Sequence, residues 1–498
     1  MKPPALRSTR WHALAAAAAL AFTSAAGVAH DWPSPRAGAA IAPAPDDAAP
    51  PQPDRPGRPW AGLLWSGPES GAPPAPSASD CRRPPQPFEV EGPPGFTRAA
   101  RVPMARSAAG FADAAKAASP AGRDRAEAPA EMSVARAAAA APPVQAPEAN
   151  RARPAHEPVT AGVVDDNADF GEYLAYRARA GQFQRRDLSI ADRVRLDVRD
   201  AAGRPVPDAA VAVYAAGREV PLWARTDASG RAWLMSQPGM QGSSVYEVQV
   251  SKGSARTRVL WQRGQKDVLQ ARLDGAAPAP ARLDLVFVID ATGSMADEID
   301  KLKRTMREVA DQIATLPSRP DVCYGLVAYR DRGDAFFVRG ADFTHDLSAF
   351  QSTLAQLQAG GGGDYAEALN EALHTAVHRL SWRGEGTARM ALLVADAPPH
   401  LDYGRPYYDE DARAALARGI KLFAVGASGL DEQGAYVFRQ AAQFTGGRFV
   451  FLTYAQARRP DSGPGRETVH DVRNYSVETL DKLVVRLVRE ELAPWPER

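Results

Sequence analysis

The chain has 498 residues, 60 Lys and Arg against 59 Asp and Glu, a net charge of +1 and two cysteines. Such a length allows roughly two or three domains. The scattered, balanced charge offers no basic face for nucleic acid, and the cysteines lack the spacing of a zinc site.

Residues 1–29 read as a secretory signal peptide. Lys2, Arg7 and Arg10 form the basic start, residues 13–22 the apolar stretch, and Gly27, Val28 and Ala29 the small-residue cleavage site. The apolar stretch is Ala-rich and shorter than the ~20 residues that span a bilayer. No later stretch qualifies, so the mature chain is expected to carry no integral membrane domain. The expected location is outside the cytoplasm, either periplasmic or secreted to the cell surface. Residues 30–165 are dominated by Ala, Pro, Gly and Arg. They hold too little apolar surface to offset the entropy of ordering, which predicts a Pro/Ala-rich disordered tether.

Residues 166–186 hold a short amphipathic helix, with Phe170, Tyr173, Leu174 and Tyr176 set to dock on the next domain. Over 187–274 the pattern changes to short strands. Val194, Leu196 and Val198 alternate, and turn residues at 200–203 and 226–230 separate the runs. This spacing predicts a small all-β sandwich. The phrases at 203–208 and 227–230 resemble bacterial immunoglobulin-like or carboxypeptidase-regulatory-like modules. Residues 275–282 are the linker. Cys81 lies in the Pro-rich region and Cys323 in a core strand, so the two are not expected to pair.

From residue 283 the chain alternates strands and helices. Residues 283–289 form an apolar, β-branched run that reads as a buried strand. Residues 295–315 follow with helical spacing, placing Ile299, Leu302, Met306, Val309 and Ile313 on one face. Asp290, Thr292 and Ser294 therefore lie on a strand-to-helix loop at the carboxyl end of a strand, where open α/β sheets bind ligands. One carboxylate and two hydroxyls are hard donors, suited to Mg²⁺ or Mn²⁺. Two more acidic loops supply candidates: Asp364 and Glu367 after the glycines at 360–363, and Asp396 at the end of the strand 391–395. Strands are also expected at 322–329, 335–339, 421–426 and 448–452, and helices at 347–357, 368–380, 436–444 and 477–492. Together they predict a doubly wound, Rossmann-like α/β domain.

Residues 283 to about 455 resemble a von Willebrand factor type A (vWA) domain with a metal-ion-dependent adhesion site, and the domain is expected to run over 283–496. The resemblance rests on Asp290, Thr292 and Ser294, on the second loop at 361–364, and on Asp396. Segments 329–334 and 342–344 also resemble a subgroup found in bacterial proteins and beside some atypical kinases. Many members place a Thr in the second loop. Here 364–367 instead resembles the acidic second loop of integrin β-subunits, leaving the ligand open between Asp364 and Glu367. Asp297 and Glu298 fall where that pattern binds an adjacent Ca²⁺, or where acids merely favour a helix dipole. Related domains can shift a terminal helix on binding, and 477–492 is that helix here.

The resemblance implies Mg²⁺, with Mn²⁺ or Ca²⁺ as alternatives, and a protein partner whose Asp or Glu carboxylate completes the coordination. The expected role is metal-dependent protein–protein interaction or adhesion at the cell envelope of a bacterium, without enzymatic activity. A Mg²⁺-dependent hydrolase or phosphotransferase, and a structural envelope protein with a purely stabilising metal, are the alternatives. His374 and His378 share a helix face with Glu371 one turn earlier, a spacing that can chelate a metal, although a solvated or structural face is the preferred reading. Tyr403, Tyr407 and Tyr408, with Asp402, Asp409 and Glu410, read as partner contacts or local packing. His400 reads as a loop cap near the metal rim.

Overall fold

The computed structural model describes residues 72–92, 157–190, 192–237, 240, 242–274, 281–384 and 386–493. The expected leader, stretches 30–71 and 93–156 of the expected tether, and linker residues 275–280 lie outside them.

In chain order, β1 (Pro87–Val90) and β2 (Thr160–Val164) precede α1 (Phe170–Arg179). Seven strands follow: β3 (Arg193–Arg199), β4 (Ala210–Ala215), β5 (Arg218–Arg225), β6 (Arg231–Met235), β7 (Val245–Lys252), β8 (Ala255–Gln262) and β9 (Leu269–Arg272). The remainder alternates. It runs β10 (Arg282–Asp290), a 3₁₀ turn (Gly293–Asp297), α2 (Ile299–Ala314), β11 (Asp321–Tyr329), β12 (Val338–Thr344), α3 (Leu347–Ala355) and α4 (Leu369–His378). Then come β13 (Thr387–Ala395), α5 (Tyr408–Arg418), β14 (Ile420–Gly426), α6 (Glu432–Thr445), β15 (Phe449–Gln456), β16 (Arg459–Pro464), β17 (Ser476–Thr479) and α7 (Leu480–Leu492).

The main sheet has the order β1-β12-β11-β10-β13-β14-β15-β2-β17, with β16 paired to β15. Its centre, β11 to β15 through β10, is parallel. Alternation along β10 decides the layers. Leu283, Leu285, Phe287 and Ile289 face a core shared with α2, α3 and α7. Val286 and Val288 face the opposite core, shared with α4, α5 and α6. Burial on both faces explains why β10 reads as a continuous apolar run. The mixed α/β sheet with helices on both faces matches the expected architecture.

Two of its strands come from the region expected to be tether. β1 pairs antiparallel with β12, and β2 inserts antiparallel between β15 and β17. The tether expectation is therefore corrected for 72–92 and for 157–165. Each strand is stabilised by edges of a sheet formed hundreds of residues later, a gain that the segment's own composition does not register. β12, set a few residues beyond the strand expected at 335–339, is covered by β1. Cys81, just before β1, is disulfide-bonded to Cys323 of β11, with the two Cα atoms 6.1 Å apart. The expectation that they stay unpaired fails for the same reason, since docking of this segment carries Cys81 to the core strand.

The seven central strands form two sheets, β6-β3-β9 and β5-β4-β7-β8. Their inward residues, among them Val194, Leu196, Val211, Val248 and Trp261, make one core. That core does not close on itself. It continues into Tyr173 and Tyr176 of α1 and into Ala412, Leu416, Tyr436 and Phe444 on the outer faces of α5 and α6. A buried ion pair reinforces the contact: Arg389 Nη1 of β13 lies 2.9 Å from Asp208 Oδ1, which Arg225 also contacts. Burial pushes the Asp208 carboxyl up, but the two guanidinium groups overcome it and hold the group below its usual range.

A non-reducing peptide map is expected to recover Cys81 and Cys323 in one linked fragment. Replacing both by Ala is expected to cost about 2–4 kcal/mol of unfolding free energy, measured by denaturant titration. Recovery of two unlinked thiols would overturn the pairing.

Candidate metal centre at the strand ends

Register fixes the site before any side chain is considered. β10 lies between β11 and β13, with Asp290 opposite Tyr329 and Ile289 opposite Val394. Asp290 and Asp396 therefore leave the sheet side by side. Asp290 is wholly buried. Its Oδ1 accepts hydrogen bonds from the Thr292 backbone N–H at 2.9 Å and the Thr292 hydroxyl at 2.6 Å. Thr292 Oγ1 lies 3.0 Å from Ser294 Oγ, which donates to Asp396 Oδ1 at 2.9 Å. Four of the six predicted ligands, Asp290, Thr292, Ser294 and Asp396, thus lie in one run of polar contacts. Thr292 is buried, whereas Ser294 is exposed and forms the mouth.

The second loop lies directly on the first. Gly360 N–H donates to Ala291 O at 3.0 Å, and Gly293 N–H donates to Gly361 O at 3.1 Å. Gly361 and Gly362 both have positive φ, 79° and 73°, conformations that favour glycine. A Cβ on Gly362 would stand 2.9 Å from Glu367 Oε1 and 3.3 Å from Thr292 Cβ. The bare glycine therefore lets Glu367 approach the first loop. Asp334 Oδ2 braces the turn, accepting from Gly362 N–H at 2.7 Å and Asp331 N–H at 3.1 Å. Arg330 ties both loops through Ala291 O at 3.1 Å and Gln358 O at 2.8 Å.

This geometry separates the two candidates for the second loop. Glu367 is buried beside Thr292. Asp364 is half-exposed and turns toward His400, with Oδ2 3.7 Å from His400 Nε2. His400 also lies 3.7 Å from Asp331 and 2.8 Å from Asp402, and stacks on Tyr403 with centroids 3.7 Å apart. Its backbone caps the loop, donating to Glu367 O at 3.1 Å.

The adjacent acids divide differently. Glu298 is buried and faces away from the first-loop chain. It accepts from the hydroxyls of Ser428 and Tyr454 and from the Ser428 N–H at 3.3 Å. These bonds tie α2 to the loop after β14 and to β15. The Asp297 side chain lies outside the described set. The aromatic loop also resolves to packing. Tyr408 is buried against the Arg186 backbone, Tyr407 lies under the Arg186 guanidinium, and Tyr403 donates to Asp331 at 2.7 Å.

The charge balance points to a cation. Glu367 Oε2 is buried with no hydrogen-bond partner, and the buried Asp290 carboxyl has only the hydroxyls of Thr292 and Tyr329 and the Thr292 N–H beside it, an arrangement that costs free energy unless neutralised. Burial, and then the Asp396 charge, push the Asp290 carboxyl up to about 7. Burial, followed by Asp290, Asp331, Asp334 and Asp364, pushes Glu367 up to about 11. Three carboxylates and two hydroxyls in one enclosure fit a hard divalent ion. Asp290, Thr292, Ser294, Asp396 and Glu367 would hold it directly or through water. Bound there, the ion supplies Lewis acidity and positive charge at the Ser294 mouth. Beside that mouth opens a cleft of about 330 Å³, with Ser428, Gly429, Tyr454, Arg458 and His470 on its walls.

Sequence reasoning missed Asp334 and Arg330, although both stand in the segment 329–334 that it singled out. The only available signal was a charged turn between β11 and β12, and nothing local says that its carboxylate caps a glycine thirty or so residues on.

The molecule is thus a doubly wound α/β domain with an oxygen-donor cluster at the carboxyl ends of adjacent central strands. A von Willebrand factor type A domain is found at residues 284–451, and domains of this family often bind a divalent metal. The chain is 29% identical over 144 residues to "Alpha-protein kinase vwkA" of Dictyostelium discoideum, covering 28% of this chain and 22% of that protein. It is 37% identical over 108 residues to "von Willebrand factor A domain-containing protein 7" of Rattus norvegicus, and to the protein of that name in Homo sapiens, covering 22% of this chain and 11% of each. The chain thus spans a quarter or less of the length of these relatives. A vWA domain supports a general role in protein–protein interaction.

In the metal-free chain, Asp290 and Glu367 bind protons more tightly when folded than at their ordinary values of 3.8 and 4.5. Their favourable contribution is complete below those values and is lost as pH rises, through about 7 for Asp290 and about 11 for Glu367. With chelator present, Asp290→Asn is therefore expected to gain several degrees in melting temperature relative to wild type between pH 5 and pH 8. The gain should vanish in saturating Mg²⁺. An unchanged difference between the two pH values would refute the buried-charge account.

Proposed function

We propose that this is an exported bacterial protein whose vWA domain carries a metal-ion-dependent adhesion site. Mg²⁺, or Mn²⁺, is held by Asp290, Thr292 and Ser294, with Asp396 and Glu367 directly or through water. A protein partner presents an Asp or Glu carboxylate that replaces a metal-bound water at Ser294. The observation that carries this reading is the buried pair Asp290 and Glu367, with Glu367 Oε2 unpartnered and Asp290 met only by neutral donors. The cleft beside Ser294 supports it, because exposed Arg458 on its wall favours an anionic side chain. Asp364 stays outside the coordination and serves the His400 loop.

Export is supported by the leader read at 1–29 and by the Cys81–Cys323 disulfide, a bond that persists in oxidising compartments. Among the described residues, no helix is long and apolar enough to cross a membrane. The two-sheet module is read as immunoglobulin-like. Its shared core with α5 and α6 makes it a buttress of the metal-binding domain. The reading is of a binding module without turnover. The second Asp of a D-x-D phosphatase pattern is here Thr292, whose hydroxyl is committed to Asp290.

Calorimetric titration of the full chain with Mg²⁺ and Mn²⁺ tests the site. One saturable event is expected, abolished by Asp290→Ala and by Asp396→Ala with melting still cooperative. Glu367→Gln is expected to weaken binding by about tenfold or more, and Asp364→Asn to change it less. Acetate added to the Mn²⁺-loaded chain is expected to lower water-proton relaxation by displacing a bound water. A folded wild type that binds neither ion sinks the proposal. Binding without any acetate response would leave a purely stabilising metal.

A further inference from the structure

A second cluster of metal-ligating side chains lies between α4 and α5 and shares no residue with the strand-end site. His374 and His378 stand four apart on α4, so their rings lie on one face, with centroids 4.4 Å apart. Asp411 of α5 faces both. His374 Nδ1 lies 2.9 Å and His378 Nε2 lies 3.0 Å from the same atom, Asp411 Oδ1. The three donor atoms fall within 4.8 Å of one another.

Two further observations distinguish this from an ordinary ion pair. Asp411 is 2% exposed, and its Oδ2 is buried with no hydrogen-bond partner. Both imidazole nitrogens meet the same oxygen, Asp411 Oδ1, while Oδ2 stays bare beside them. One turn earlier on the same face, Glu371 is wholly buried, and both its oxygens lack a hydrogen-bond partner. Glu371 is thus a second buried acid behind the cluster, its carboxyl pushed up to about 8 by burial, with Arg332 acting against that shift. The groups facing the cluster from the packed elements are therefore Glu371 on α4, Asp411 and Glu410 on α5, and Arg332 on the loop after β11.

We propose that His374 Nδ1, His378 Nε2 and an Asp411 carboxylate oxygen bind a borderline first-row dication of the Zn²⁺ class. Two imidazoles and one carboxylate form a three-ligand set that leaves a fourth position to water. Tetrahedral bonds of about 2.0–2.1 Å place ligand atoms about 3.3 Å apart. The observed 2.9 and 3.0 Å separations need to open by only a few tenths of an ångström. His378, with a side chain 34% exposed, gives the ion a route from solvent and room for the water.

The ion clamps α4 to α5. α4 begins two residues after Glu367, the second-loop acid, and α5 carries Ala412 and Leu416 into the core shared with the β-sandwich. The clamp therefore fixes the helix behind the second loop to the helix that seats the neighbouring module. Its donor chemistry differs from the oxygen-only set at the strand ends, which makes the two sites separable by choice of metal.

The test uses the full chain stripped by chelator and titrated with Co²⁺, followed by visible absorption. Four-coordinate Co²⁺ gives a strong ligand-field band, while an octahedral oxygen site gives a weak one. A strong band is expected in wild type and in Asp290→Ala, resistant to excess Mg²⁺ and displaced by one equivalent of Zn²⁺. His378→Ala, at a partly exposed position, is expected to abolish the band and weaken Zn²⁺ binding by at least about tenfold. Asp411→Asn, which keeps the shape of the side chain, provides a second variant should His378→Ala melt early. A strong band that survives in both variants overturns the proposal. So does a folded wild type whose Co²⁺ binding is weak-banded and lost in Asp290→Ala.

Discussion

Burial of Asp290, Asp396 and Glu367 at one end of the main sheet is the constraint around which this domain is arranged. Carboxylates enclosed together repel one another and lose hydration, so Asp290 and Glu367 are driven toward their neutral forms unless positive charge arrives. Among the described residues, the groups acting most on Asp290 and Glu367 are other acids and neutral donors. The first loop spends its hydroxyls on Asp290 Oδ1 and Asp396 Oδ1. The parallel register of β10 and β13 prevents the two aspartates from moving apart. Side-chain relaxation is equally blocked, because the residues just before them are packed on both faces. Neutralisation is therefore left to protons or to an added ion, and the proposed metal is the ion that fits the donors.

The loops that carry these groups are held from below and behind. Asp334 and Arg330 fasten the glycine turn, and Glu298 fastens the loop after β14 through Ser428 and β15 through Tyr454. A site held this way keeps its donors in place before any ligand arrives, which lowers the ordering cost of binding. The β-sandwich contributes to the same stiffness. Its core runs into α5 and α6, and Asp208 is locked between Arg225 and Arg389. A flexible spacer would expose those groups. Here, separating the module would break the Asp208–Arg389 pair, leaving Asp208 with Arg225 alone, and would expose the apolar core shared with α5 and α6.

What the sequence made legible follows from how local each signal is. β10, the loop through Ser294 and α2 were readable because an apolar run, a turn and a 3.6-residue stripe are all short-range patterns, and the structure places all three as expected. Asp396 was readable as the end of a second such run. The choice between Asp364 and Glu367 was not, because it depends on the left-handed turn at Gly361 and Gly362 and on where α4 starts. β1, β2 and the disulfide were illegible for a stronger reason. Their partners lie more than two hundred residues away in β12, β15 and β11, and a Pro/Ala-rich average over 30–165 conceals two segments of four and five residues. The segment 477–492 read as one helix, but its first residues pair with β2 as β17, an edge that the sequence did not announce.

That last difference bears on how binding could be transmitted. α7 is the element expected to shift in related domains, yet here both of its ends are tied. Ser476–Thr479 pairs with β2 immediately before the helix, and Leu480 N–H donates to Val159 O at 2.8 Å. Within the first turn, Asp481 accepts from Gln312 of α2 at 2.8 Å. At the far end, Lys421 lies 2.8 Å from Glu491 and also pairs with Asp227 of the sandwich, while Arg448 pairs with Glu490. Sliding α7 by one turn would break a strand pairing, unseat Leu483, Leu487 and Val488 from the core, and separate a buried lysine from its acids. The arrangement therefore makes α7 a fixed strut that joins the main sheet to the β-sandwich.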